Sequence, residues 1–471
     1  HTFPSPVLQS SKEAVDSCHL GKKSMETEGK STHREALNIE SDLIIDDQAP
    51  QECPATAHTI GQDSWQQVSL MLVTSFNCGW ILSFSNLMLA PLGWAWGIFS
   101  LIVVGLFTAY ANWLLADFHF IKGQRFIRYR DIMGFLFGKE MYYFTWILQC
   151  LIFLLANMGF MLLGGKALKE INLVFSGSAL RLQFFIIITG VAFFVFAFIV
   201  PNMSAMRVWL GASAILTFGY VGVLLVVSII DGKANTHKDY EIKGSTGARV
   251  FNALGALSAI IVCNTSGMLP EIQSTVRRPA VRNMRRALYV QYTAGLMVYY
   301  GVSIVGYWAY GSEVSDYLPK DLSRPKWARV LINLAVFLQN VISQHMFIQP
   351  VHEALDTKFL RLNEDIYSSE NLKRRFFLRA LVFTGNTVMT AAMPFMGDFI
   401  NILGSFILTT LTFVFPSMIF IKVKGETATA GQKAWHWTIV SISSLLAVAT
   451  TISAARLIFT DIRDYHLFAD Q

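Results

Sequence analysis

Residues 262–273 read VCNTSGMLPEIQ, in which Asn264, Thr265 and Ser266 are followed by Gly267, Pro270 and a carboxylic acid, Glu271. They end a mostly apolar run that begins at Val250. In lipid every backbone N–H and C=O needs a partner, so unwound backbone is tolerated only where protein or a water-filled cavity surrounds it. A second run of this kind, TSFNCGW (74–80), places Asn77, Cys78, Gly79 and Trp80 midway along an apolar segment that ends near Pro91. Bare backbone at such breaks can hold a small charged solute. Free N–H groups and the positive end of a half-helix suit a carboxylate, and free carbonyls suit an ammonium or a coupling cation. Two breaks at corresponding places in two halves of a chain point to one shared site for a small zwitterion near mid-membrane. The alternative is two unrelated kinks, with Ser and Thr hydroxyls pairing the carbonyls that proline frees.

Few ionisable groups accompany these runs. Glu271 is a candidate proton carrier or inner gate, or else an interfacial carboxylate paired with Arg277 or Arg278. Asp398, one residue after Gly397, is placed to gate the site or to cap the helix that follows it. His345, Gln349, His352 and Asp356 are spaced i, i+4, i+7 and i+11 and share a helix face. An imidazole titrates near neutral pH, so the stripe could relay a proton; alternatively His345 only hydrogen-bonds inside a bundle. Asn157 either meets a ligand or bridges helices. Cys18, Cys53, Cys78, Cys150 and Cys263 show neither a disulfide framework nor metal-ligand spacing. No Ser/His/Asp set falls within the apolar segments, so an enzyme is not expected, and neither is a metal or other cofactor; protons are one candidate coupling ion, and a sodium site built of backbone carbonyls is the other. A membrane-bound solute sensor or scaffold is the reading from a different class.

These residues must be positioned by helices in lipid. Of the 471 residues 53% are hydrophobic and 15% charged, against about a quarter charged in soluble domains. Spans of roughly 20 apolar residues, the length that crosses a bilayer core, recur at about 66–90, 94–116, 141–165, 183–201, 207–230, 250–271, 287–309, 328–351, 377–396, 398–421 and 435–458. Runs such as Phe184–Val200, apolar almost throughout, exclude the alternating pattern of a β-barrel. The expected architecture is an all-α membrane protein of eleven transmembrane helices, with repeat one over about 65–230, repeat two over about 250–421 and an extra helix over 435–458. Residues 1–57 are polar and charged and read as a disordered tail, with the transporter-like domain over 58–471. The net charge of +6 does not imply nucleic acid, because the basic residues flank spans instead of forming one stripe. Segments 117–140, 272–286 and 352–379 are strongly basic and follow spans two, six and eight, hence one side of the bilayer. The positive-inside rule makes that side cytoplasmic, together with the N-terminus, and puts the C-terminus outside.

The stretches SGMLPEIQSTVRRPAVRNMRRAL (266–288), GYWAYGS (306–312), IRYRDIMG (127–134), APLGW (90–94) and YHLFAD (465–470), in that family's order, resemble the plant proline transporters of the amino acid/auxin permease family. The resemblance covers about residues 57–471. It implies a LeuT-like fold with a 5+5 inverted repeat and proton-coupled uptake at the plasma membrane. The implied solutes are proline and related compounds such as glycine betaine and 4-aminobutyrate. The departures fall at the breaks. Where the family has GVNSAYVLGYSG this chain has SFNCGWILSFSN (75–86): Asn77 matches, while Ser75 and Ser83 replace glycines, Cys78 a serine and Trp80 a tyrosine. In the sixth span Asn264, Thr265 and Ser266 stand for tyrosine, asparagine and threonine.

Overall fold

A computed structural model describes residues 55–75, 82, 84–176, 180–265, 267–323, 325–393 and 404–461, with side chains through 456. Asn77, Cys78, Gly79, Trp80, Ser266 and Asp398 therefore lie outside the described residues.

The chain is built from helices because long apolar segments satisfy their own backbone in lipid only as helices. The first expected span appears as α1 (Trp65–Ser75) and the one-turn α2 (Ser85–Met88). There follow α3 (Gly93–Asp117), the short amphipathic α4 (Tyr129–Phe137), α5 (Lys139–Ser176), α6 (Leu182–Ile199) and α7 (Leu210–Ala234). The sixth span is split into α8 (Thr246–Asn264) and α9 (Leu269–Thr275). The seventh, α10 (Ala280–Val290), runs through a π turn into α11 (Leu296–Tyr310). Then come α12 (Lys326–Phe359), α13 (Ser369–Ala392), α14 (Gly404–Lys424) and α15 (Ala430–Asp461).

Among the described residues nine helices are long and apolar enough to cross a bilayer. The count of eleven needs two segments that do not meet that standard. One is the interrupted first span. The other is α13, whose hydropathy is lowered by Lys373, Arg374, Arg375, Arg379 and Asn386.

Two sets of five segments follow the same order, each opening on a broken helix and each with its longest member third. Those third members, α5 and α12, have 38 and 34 residues and pack along each other. Their most apolar windows are 72% buried, against 33% for α15, so they form the interior post and α15 lies at the periphery. Exposed Phe184, Ile188, Val191, Val195 and Ile199 make an apolar stripe down α6, the face a helix turns to lipid. On its opposite face Gly190 lets α13 approach so closely that a Cβ there would lie 2.1 Å from Thr387 Oγ1.

The two sets run in opposite senses. The connection from second to third helix in the first set, residues 118–138, meets α9 and Glu353. In the second set that connection, residues 311–325, meets the other end of the bundle through Ser312–Asp239, Asp316–Lys166 and Ser323–Asp231 contacts. The basic segments after spans two, six and eight do come together at one end. Arg125 donates to Ser274 O at 3.1 Å, Arg285 pairs with Asp117, and Arg379 pairs with Asp356.

Residues 55–57, assigned to the tail by composition, are bonded into this end. Thr56 Oγ1 donates to Glu353 at 2.8 Å, the Ala57 amide to Thr357 Oγ1, and His58 Nε2 lies 3.2 Å from Asp356. Farther along, the Gly61 and Asp63 amides donate to Ser274 O and Thr275 O. Residues 55–63 thus form a strap across the ends of α9 and α12.

Candidate functional site

α8 starts at Ser245, whose hydroxyl accepts from the Ala248 amide, and ends at Asn264 because Thr265 turns extended (φ −128°, ψ 154°). Gly267 then takes φ +65°, a left-handed conformation that costs other residues about 1–2 kcal/mol. A Cβ there would sit 2.7 Å from Leu411 Cδ1. The chain re-enters a helix at Leu269, with Pro270 in the first turn, where its missing N–H costs nothing.

Side-chain donors meet the carbonyls around this break. Asn264 Nδ2 donates to Ile260 O and Thr265 Oγ1 to Ile261 O, both at 2.8 Å. The Tyr300 hydroxyl lies 3.0 Å from Asn264 Oδ1 and 2.8 Å from Leu101 O. Gly267 O accepts from Gln149 Nε2 on α5 at 2.9 Å. The same amide nitrogen donates to Glu271 Oε1 at 3.0 Å, and the Tyr129 amide donates to that oxygen as well, also at 3.0 Å. The Tyr129 hydroxyl donates to Leu411 O at 2.6 Å, which fixes α4 against α14.

At the end of α1 the pattern repeats from the other half. Thr74 O accepts from Gln339 Nε2 on α12 at 2.6 Å, and Val73 O accepts from the Tyr299 hydroxyl. Ser213 Oγ, 2.9 Å from Thr74 Oγ1, also accepts from Gln339. Each long helix therefore lends one glutamine to the broken helix of the opposite half.

Glu271 is not paired with Arg277 or Arg278: Arg277 instead donates to Gln62 O at 2.8 Å. The carboxyl is buried at the floor of a pocket that opens at the basic end, lined also by Thr56, His58, Ser274, Gln349 and Glu353. Glu353 is held by Arg128 and Arg130. Behind Ser274, Arg125 Nε donates at 2.9 Å to His119 Nε2. Burial, with the Arg125 guanidinium alongside, holds His119 well below the ordinary histidine range, so it serves as a neutral acceptor.

The stripe on α12 is wholly buried. Gln349 Oε1, in the orientation that satisfies its neighbours, accepts from His345 Nε2 at 2.8 Å and from the Asn202 amide at 3.2 Å. Asp356 forms a two-pronged pair with Arg379 (2.9 and 2.6 Å). His352 lies between them against Phe383. His345 and Glu271 are thus both connected to the pocket, the former through Gln349. Asn157 donates to Gln344 on α12 and accepts from Asn386 on α13, both at 2.8 Å, so both ends of its amide bridge helices.

Gln149, Gln339, Tyr129, Tyr299 and Tyr300 were not among the residues singled out from the sequence. The available signal was a lone glutamine inside the apolar run WILQCLIF and another inside AVFLQNVI. Polar side chains in such runs are expensive and point inward.

Residues 61–457 match the family described as transmembrane amino acid transporter protein. The chain belongs to this family. It is 30% identical over 398 residues to GABA transporter 1 of Arabidopsis thaliana, covering 80% of this chain and 87% of that protein. Lysine histidine transporter-like 6 of the same plant is 26% identical over 418 residues, covering 86% and 93%. Among solved structures the chain resembles Mhp1, a nucleobase-cation-symport-1 family transporter (TM-score 0.52, 14% identity, 88% of this chain and 95% of that one). It also resembles MhsT in complex with L-phenylalanine (TM-score 0.50, 13% identity, 84% and 100%). These likenesses give the family member its fold, the LeuT-like arrangement of two inverted five-helix sets. The protein is a multi-pass membrane transporter of the amino acid class and not an enzyme.

Proposed function

We propose that the protein imports proline or a related small solute, glycine betaine or 4-aminobutyrate, together with protons across the plasma membrane. The observation that carries this reading is the unwound backbone at Thr265, Gly267 and Met268, joined through Gln149 to a buried carboxyl that borders an open pocket. The solute is held between the two breaks, against Asn77, Cys78, Gly79 and Trp80 on one side and Asn264, Thr265, Ser266 and Gly267 on the other, with Asn157 bracing the scaffold. Glu271 carries the coupling proton between break and pocket, His345 assists through Gln349, and Asp398 orders the start of the tenth span. The basic end, with the strap and the N-terminus, faces the cytoplasm, which the positive-inside rule supports; the C-terminus lies outside.

The relatives named for 4-aminobutyrate and for lysine and histidine support an amino acid as cargo. The motif resemblance to proline transporters narrows it to compact solutes. Uptake of radiolabelled proline, glycine betaine and 4-aminobutyrate into proteoliposomes under an imposed inward proton gradient tests the reading. Accumulation above the equilibrium level that collapses with a protonophore is expected. Accumulation that needs sodium, or none for any of these solutes, would contradict it.

A further inference from the structure

The three basic segments use their arginines differently. In residues 117–140 Arg125 donates to His119 and to Ser274 O, and Arg128 and Arg130 hold Glu353. In residues 352–379 Arg361 pairs with Glu364, Arg374 with Glu370 and Arg379 with Asp356, while Arg375 donates to Phe198 O. Residues 272–286 commit Arg277 to Gln62 O and Arg285 to Asp117. Their other arginines, Arg278, Arg282 and Arg286, are exposed and make no ion pair or hydrogen bond among the described residues.

These three stand together. Arg282 and Arg286 are one turn apart on α10, and Arg278 comes two residues before that helix begins. Side chains at i and i+4 are neighbours, and like charges so placed repel each other. Residues 272–290 contain no Asp or Glu to offset them. The positive-inside rule asks for basic residues beside a span, which the paired arginines of the other segments also satisfy. It does not ask for a row of unpaired ones on one helix face. An anion seated among them removes the repulsion.

The rest of that face indicates what kind of anion. One turn beyond Arg286 it carries Tyr289, 66% exposed, and past the π turn Met297, 77% exposed, on a helix that is long and apolar enough to cross the bilayer. On the neighbouring α3, Tyr110 and Trp113 are exposed as well, and the Arg285 guanidinium stands 5.1 Å from the Trp113 ring. Tyr and Trp favour the headgroup zone, so the arginines sit at headgroup depth, with lipid-facing surface starting a turn farther on.

We infer that Arg278, Arg282 and Arg286 form a binding site for a lipid headgroup that carries a phosphomonoester, in the leaflet at the basic end of the bundle. A guanidinium meets a phosphate through two parallel N–H donors. A phosphomonoester offers three acceptor oxygens and more than one negative charge, enough to engage several arginines at once. The site adjoins the strap: Arg277, next to Arg278, donates its amide to Asp63 O and its Nε to Gln62 O, both at 2.8 Å. Arg286 lies 6.0 Å from the ring of Trp65, where the chain leaves the strap for α1.

Native mass spectrometry of the full chain in detergent, titrated with phosphatidic acid, phosphatidylserine or phosphatidylcholine, tests this. One phosphatidic acid should be retained saturably, at lower concentration than phosphatidylserine, with phosphatidylcholine not retained. Arg282→Gln combined with Arg286→Gln should weaken phosphatidic acid binding about thirtyfold, the loss of two basic side chains near a lipid phosphate. Lys139→Gln combined with Lys373→Gln removes the same charge from the other two basic segments and should leave binding unchanged. Arg282→Lys with Arg286→Lys keeps the charge without the two-pronged donor and should fall in between.

Equal retention of phosphatidic acid and phosphatidylserine, or an equal loss in the Lys139 and Lys373 variant, would overturn the site in favour of unspecific charge. Displacement of the lipid by inorganic phosphate would overturn it in favour of a soluble anion. Should the glutamine variant fail to fold, wild-type affinity in the lysine variant would overturn the proposed recognition by guanidinium.

Discussion

Asp356 and Arg379 are both without solvent exposure and meet through two hydrogen bonds, with His58 of the strap on the same carboxylate. Removing one member of such a pair leaves the other charge buried and unmatched, which costs about 3–5 kcal/mol. Arg379→Met and Asp356→Asn are each expected to lower the unfolding temperature of the purified protein sharply in a thermal melt. The double variant should recover part of the loss, because it leaves no lone charge. His119 gives a prediction of a different sign pattern. Burial and the neighbouring Arg125 hold it well below its unfolded value of about 6.5. On acidification from neutral pH the unfolded chain takes up this proton first, so stability falls with pH below about 6.5 until the folded value is reached. His119→Gln, which keeps an acceptor for Arg125, should flatten that slope when unfolding midpoints are compared at pH 7 and pH 5. A slope equal to that of the wild type would assign the acid sensitivity to other groups.

Among the elements, the broken sixth helix depends most on one backbone conformation. Gly267 combines φ +65° with a close approach to Leu411, whereas Gly211 on α7 has open space where a Cβ would go. Gly267→Ala should therefore lose about 1–2 kcal/mol of stability from the left-handed backbone alone, with a further loss from the Leu411 contact and reduced transport. Gly211→Ala should match the wild type in both melting temperature and uptake. The break itself was legible in the sequence, since Asn264–Gly267 and Pro270 are breakers inside an apolar run. What holds the break was not legible. Gln149 is a single polar residue in α5, and nothing local says that it bridges Gly267 and Glu271, more than 100 residues further along the chain. Helix edges show the same limit. The third span was expected to end near 165, but α5 continues to Ser176 because Lys166 pairs with Asp316 and Glu170 with Arg329. Those partners come from the second half of the chain, so local hydropathy could not reveal them.

Across the molecule, the two ends are held together by different means. One carries ion pairs and hydrogen bonds between α5, α7, α12 and the 311–325 segment. The other carries the strap of residues 55–63 over a pocket that reaches Glu271. A transporter that alternates access must release each end in turn, so the strap should restrain opening on its own side. Thr56→Ala combined with His58→Ala removes two of its side-chain bonds to α12 and should make cysteines introduced along that pocket react faster with thiol reagents; an unchanged rate would show that the strap does not restrain that opening. The span pattern and the clustering of basic segments at one end could be read directly from hydropathy and charge. The pairing of the two inverted sets could not, because no repeat is visible in the letters and it emerges only from the packing of α5 against α12.

The account stands most directly on one recording: solute-evoked current in oocytes expressing the full chain, with proline, glycine betaine and 4-aminobutyrate at acidic and neutral external pH. The account predicts an inward current for at least one of them that grows in acid and is lost in Glu271→Gln while the variant still reaches the surface. A current unchanged by pH, or silence across all three with the protein at the surface, would contradict proton-coupled uptake of this class of solute.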